Sequence, residues 1–178
     1  IKRGVVHIIG GGLAGCEASW QLVSQGVKVV MHEMRPKKMT KAHKTSDLGE
    51  LVCSNSLKSM TPGSAPEVLK HEMTAFDSLV LSAAHHARVP AGSALAVNRK
   101  DFSGFMKAKL DQSELFELAT EEVLSVPTLD VLEEHGSYCV IASGPLTGDH
   151  LAGSLLSYCE GHGQLAFYDA IAPILSAE

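Results

Sequence analysis

The first residues whose types and spacing suit chemistry are Gly10-Gly11-Gly12-Leu13-Ala14-Gly15, a G-x-G-x-x-G run. In such a run the first glycine permits a tight turn and the second lets a pyrophosphate approach the backbone. The third lets the following helix pack closely. A helix opening there adds unpaired N–H donors and a positive dipole end. Some twenty residues on, Glu33 closes a second apolar run. A carboxylate at that position would accept hydrogen bonds from ribose hydroxyls and repel a 2′-phosphate. Together they predict a dinucleotide site.

Two further groups stand out. Arg35, Lys37, Lys38, Lys41, His43 and Lys44 form a basic run with no acid between Met34 and Ser46. It suits cofactor phosphates or an RNA backbone, and equally a solvated loop. Leu51-Val52-Cys53-Ser54-Asn55-Ser56 sets a thiol among small polar residues, which suits a reactive cysteine if the basic loop folds over it and lowers its pKa. Cys16, Cys139 and Cys159 fall in helix or strand patterns and read as packing residues. His85 and His86 close a helical pattern and read as partners of its dipole.

The elements that position these groups follow from hydrophobic period. Val5 to Ile9 predicts a buried parallel strand, Leu13 to Ser24 a helix ending near Gly26, and Val27 to Glu33 a second strand: one βαβ unit. Met34 to Gly49 is a polar connection. Pro66 to His86 has helical spacing throughout, and a helix is expected from about Lys100 to Leu110. Short strands are expected at Leu115–Leu118, Val123–Val126 and Leu129–Leu132, then at Tyr138–Ala142 and Leu165–Tyr168. A short helix over His150–Cys159 separates the last two. The fold class is α/β: an FAD/NAD(P)-binding Rossmann-type domain with a parallel sheet, incomplete in this chain.

Composition limits the alternatives. At 178 residues and 45% hydrophobic, the chain can bury a core. Fifteen Lys and Arg against 20 Asp and Glu give a net charge of −5, which disfavours a nucleic-acid binder that is basic as a whole. No apolar run reaches the roughly 20 residues of a membrane helix. Four scattered cysteines without C-x-x-C spacing fit a reducing, cytoplasmic compartment, and nine scattered histidines offer no metal-ligand spacing.

Several blocks then occur in one order: H-E-M-R-P, E-L-V-C-S-N-S-L-K-S, V-P-A-G-S-A-L-A-V-N-R (Val89 to Arg99), A-S-G-P-L-T (Ala142 to Thr147) and F-Y-D-A-I-A-P-I (Phe167 to Ile174). With the glycine run they closely resemble the bacterial folate- and FAD-dependent tRNA uracil-5-methyltransferases, over Val5 to Ile174. The resemblance implies FAD as cofactor, with NAD(P)H and 5,10-methylenetetrahydrofolate as co-substrates. The product would be 5-methyluridine in the T-loop of tRNA, and no membrane or metal would be involved. Residues 1–178 would form the amino-terminal portion of the FAD-binding domain, with the remainder of the enzyme absent.

Carried over by position, the resemblance assigns Gly10, Gly11, Gly12, Leu13, Ala14, Gly15 and Glu33 to the adenosine diphosphate half of FAD. It puts Arg35 near the cofactor's ribose or phosphates and gives Cys53 a catalytic role. Rival readings are the sister flavoproteins that modify the wobble uridine of tRNA, an FAD-binding fragment without turnover, and an NAD(P)H–flavin oxidoreductase that does not touch RNA. The turn also predicts that Gly12→Ala or, more severely, Gly15→Val lowers flavin occupancy without unfolding the domain.

Overall fold

The structure is a computed structural model and describes residues 4–158. Its central sheet has four strands in the order β6-β2-β1-β7, formed by β1 (Val6–Ile9), β2 (Val29–Glu33), β6 (Phe116–Thr120) and β7 (Tyr138–Ile141). All neighbours are parallel, with Ile8 opposite Met31 on one side and Val140 on the other. The helix between the first two strands, α1 (Leu13–Ser24), completes the expected βαβ unit. Gly26, at φ +74, takes the turn that leads into β2.

A second, antiparallel sheet stands apart, in the order β3-β5-β4: β3 (Ser56–Ser59), β4 (Arg88–Val89) and β5 (Ala94–Val97). Between these strands run α2 (Ala65–Ala75) and α3 (Leu79–His86). Then come α4 (Arg99–Asp111), α5 (Leu129–His135) and α6 (Asp149–Tyr158). Helix α4 begins because the Asn98 Oδ1 accepts from the N–H groups of Lys100 and Asp101, at 3.0 and 3.3 Å. Its residues Phe102, Met106 and Leu110 recur every four positions and are fully buried, at about 1.5–3 kcal/mol each for removal from water. They share one core with Leu79, Leu95, Val97 and Met31, while Val6, Ile8, Val23 and Val29 form a second core. Both cores brace α1 against the sheet.

Three expectations need correction. The helical pattern of Pro66–His86 is two helices, not one. The chain breaks at Asp77, whose φ is +53, and restarts where the Ser78 Oγ accepts from Leu81 N. The break is held from α1: Glu17 Oε2 accepts from Ser78 Oγ at 2.8 Å and from Val80 N at 3.0 Å, and Trp20 Nε1 donates to the Asp77 carbonyl at 2.9 Å. Leu129–Leu132 lies within helix α5 rather than a strand. Gly136 ends that helix in the left-handed region at φ +59, a stop signal outside the four residues considered. Val123–Val126 is irregular. The predicted strand Leu165–Tyr168, Cys159 and the F-Y-D-A-I-A-P-I block lie outside the described residues.

Among the described residues β7 is an edge of the parallel sheet, with Tyr138 66% exposed and Val140 and Ile141 also open. No described helix is long and apolar enough to cross a membrane.

Candidate nucleotide site

The glycine run is the turn from β1 into α1, at the carboxyl edge of the sheet. Gly10 has φ +110, and a Cβ there would meet the Ala142 carbonyl oxygen at 2.6 Å. A Cβ on Gly15 would lie 1.9 Å from the Gly10 carbonyl oxygen, so only glycine lets α1 sit this close to the turn. Gly12 differs. A Cβ there meets nothing within 4 Å, and no side chain caps the helix that Gly12 begins. The first helical bond is Cys16 N to Gly12 O, at 3.0 Å, so the N–H groups just before it have no acceptor within the helix. The space in front of Gly12 is therefore open, as the approach of a pyrophosphate to a helix N-terminus requires.

This turn opens onto a cavity of about 300 Å³, within the size range of small-ligand pockets. Gly10 to Ala14 form one wall. His32, Glu33 and Arg35 follow from the end of β2, with Thr40 and His43 from the loop beyond. Glu121 to Val123 and the Ser143–Gly148 turn supply the far side. That turn includes a short 3-10 helix, Gly144–Leu146, and is tied by the 2.7 Å contact between the Ser143 and Thr147 hydroxyls.

Glu33 is buried and committed within the protein. Its Oε2 accepts from Gly11 N at 2.8 Å and from Arg35 Nη2 at 3.2 Å. Its Oε1 accepts from Arg35 N at 3.0 Å and Arg35 Nε at 2.9 Å. Burial alone would raise its pKa; the Arg35 hydrogen bonds outweigh it and hold the carboxyl below its usual range. Arg35 continues to Glu50 through Nη1, at 3.0 Å, and to the Thr45 carbonyl at 3.2 Å. The fork of Arg35 is thus buried between two carboxylates. Burial, and then the Arg35 charge, push the His43 pKa down.

The basic run divides. Arg35 is internal, His43 lines the cavity, and Lys38 pairs with Glu122. Lys37, Lys41 and Lys44 are exposed. Cys53 is also exposed, and Val52, not Cys53, belongs to the cavity wall. Arg35 and Lys38 each pair with a carboxylate, Arg35 with Glu33 and Glu50 and Lys38 with Glu122. Cys16 is fully buried, and its thiol is pushed up to about 12 by burial and then by Glu33, which suits a packing residue. Burial also raises the Cys139 pKa.

Sequence reasoning missed Glu50, Glu121 and Glu122. It also missed a hydrogen-bonded chain beside the cavity: His7 Nδ1 to His32 Nε2 at 3.0 Å, then His32 Nδ1 to Glu121 Oε1 at 2.9 Å. For Glu121 no local signal existed, since its partner is 89 residues away. Among the described residues no three His, Cys, Asp or Glu side chains are grouped to hold a metal ion.

A parallel sheet with a glycine turn at its carboxyl edge, followed by a closely packed helix, defines an FAD/NAD(P)-binding Rossmann-type domain. The chain belongs to the glucose inhibited division protein A family, whose model matches residues 5–177. It is 51% identical over 173 residues to a Syntrophomonas wolfei protein named methylenetetrahydrofolate–tRNA-(uracil-5-)-methyltransferase, covering 97% of this chain and 38% of that protein. It is 49% identical over 175 residues to the Geobacter sulfurreducens protein of the same name, covering 98% and 38%. The chain thus spans well under half the length of these relatives. Among solved structures it is similar to Aquifex aeolicus GidA in the form II crystal, with a TM-score of 0.54 at 18% identity, over 71% of this chain and 21% of that one. That likeness shows the fold.

Proposed function

We propose that residues 1–178 are the FAD-binding portion of a cytoplasmic, folate-dependent tRNA uracil-5-methyltransferase. The observation that carries the nucleotide reading is the open, uncapped turn at Gly12, facing a cavity of about 300 Å³. The name of relatives at 49% to 51% identity supports the rest.

In this reading Gly12 to Gly15 present main-chain N–H groups to the pyrophosphate, with Leu13 and Ala14 on the cavity wall, while the Gly11 N–H is held by Glu33. Glu33 stands at the ribose end. A ribose hydroxyl would replace the longest of its four bonds, the one from Arg35 Nη2. Arg35 would then turn its freed hydrogen toward the ribose oxygen. FAD, when bound and reduced by NAD(P)H, supplies the electrons that turn a folate-borne methylene into a methyl group. Addition at C6 of uracil calls for a nucleophile, and Cys53 has the access to meet a tRNA base.

Two measurements test this. The purified whole protein should show flavin absorption near one equivalent, and should transfer label from methylene-labelled folate to tRNA uridine. Absence of flavin from folded protein, with none taken up on addition of FAD, would overturn the nucleotide reading. Flavin without methylation of tRNA would leave the FAD-binding fragment or an oxidoreductase as the better reading.

A further inference from the structure

Glu50 lies outside the glycine turn, at the head of the segment that leads to Cys53. Its carboxylate accepts four hydrogen bonds. Oε1 takes Lys44 N at 3.0 Å; Oε2 takes Thr45 N at 3.1 Å, Thr45 Oγ1 at 2.9 Å and Arg35 Nη1 at 3.0 Å. Burial would raise its pKa; the Lys44 and Thr45 hydrogen bonds, then the His43 charge, outweigh it and hold the carboxyl below its usual range. Through Arg35 the chain of bonds reaches Glu33 and then Gly11 N. From the adjoining residue, Gly49 N donates to the Gly11 carbonyl at 2.8 Å. Both polar groups of Gly11 are therefore fixed from the same corner, one directly and one through Glu33 and Arg35. The fit leaves no slack, because a Cβ on Gly11 would lie 2.7 Å from Leu48 Cδ2 and 2.8 Å from Glu33 Oε2.

The geometry points to Glu50 as a positioning residue of the nucleotide turn, which holds Arg35 so that Glu33 and Gly11 are set before the ligand arrives. This rests on the nucleotide reading above. The physical reason is that a turn binds through main-chain donors only if their direction is fixed. A free Arg35 would leave Glu33 able to rotate away from Gly11. Glu50 does not itself line the cavity and reaches it through Arg35, which does. Glutamine in its place cannot accept at both ends, and its amide would face either Lys44 N or the three donors at Oε2.

The test is a double-mutant cycle on FAD dissociation constants, measured by flavin fluorescence in the whole protein stripped of flavin. Glu50→Gln is expected to stay folded and bind FAD at least about tenfold more weakly. Arg35→Met should weaken binding as much or more, and the double variant no further than Arg35→Met alone. Thr45→Val, a milder change that removes one donor to Glu50, should weaken FAD several-fold and serves should Glu50→Gln fail to fold. Wild-type affinity in folded Glu50→Gln or Thr45→Val, or additive losses in the double variant, would overturn the proposal. If wild-type protein itself takes up no FAD, the nucleotide reading fails and this proposal falls with it.

Discussion

Glu50 and Cys53 are three residues apart and live in opposite environments. The Glu50 side chain is 12% exposed, with four donors upon its carboxylate. Cys53 is exposed, as are Val52, Ser54 and Asn55 around it. The first environment suits a group that must not move, because main-chain donors aimed at a phosphate lose affinity when they must first be ordered. The second suits a group that must meet a large substrate, since a buried thiol is inert, as Cys16 illustrates. One short segment thus combines a fixed carboxylate with an accessible thiol.

The contrast breaks most severely at the turn itself. Gly15→Val is expected to abolish the folded domain, since its Cβ alone would lie 1.9 Å from a backbone oxygen; circular dichroism would show it. The structure here revises the expectation from sequence that this variant stays folded. Arg35→Ala comes next. The buried Glu33 and the partly buried Glu50 then lose their cation, which costs about 3–5 kcal/mol in urea unfolding. Gly12→Val should leave that unfolding midpoint unchanged, because its site is open, yet weaken FAD by at least about tenfold, roughly 1.4 kcal/mol. Equal FAD affinity would move the pyrophosphate elsewhere.

Acid sharpens the comparison. His7 and His43 have folded pKa values depressed below 6.5, and Glu33 and Glu50 below 4.5. Each group takes up its proton more readily when unfolded, so their contributions are complete above these values. Stability should fall below about pH 6.5 as the histidines begin to favour the unfolded chain, and again below about pH 4.5. Urea midpoints at pH 7.5, 5.5 and 4.0 should descend in that order. The smallest effect on stability belongs to Cys53→Ala, within about 0.5 kcal/mol for an exposed position. Methylation per bound flavin in the same variant should nonetheless drop by about a hundredfold; full activity would remove Cys53 from the chemistry.

What was legible in the sequence was what neighbours along the chain decide. The βαβ unit, the glycine turn and α4 depend on period, caps and steric limits within a few residues, and each formed near its expected place. The Asp77 break was hidden because its cause sits on α1, some sixty residues earlier, in Glu17 and Trp20. The strand Ser56–Ser59 was hidden because its pairing with Ala94–Val97 is remote, and its residues carry no apolar alternation. Glu33 was singled out by its position, yet its partners were not. A carboxylate at the end of a strand reads alike whether it awaits a ribose or already holds an arginine.

The open edge at β7 bears on how these residues behave when produced alone. Among the described residues β7 ends the sheet, and a strand at such an edge, with apolar side chains such as Tyr138, Val140 and Ile141, is a template for another strand of any chain. Residues 4–158 expressed as a separate polypeptide should therefore scatter light more strongly as concentration rises. A lysine in place of Val140 should hold them in solution, because a charge along an edge opposes the sliding of one sheet onto the next.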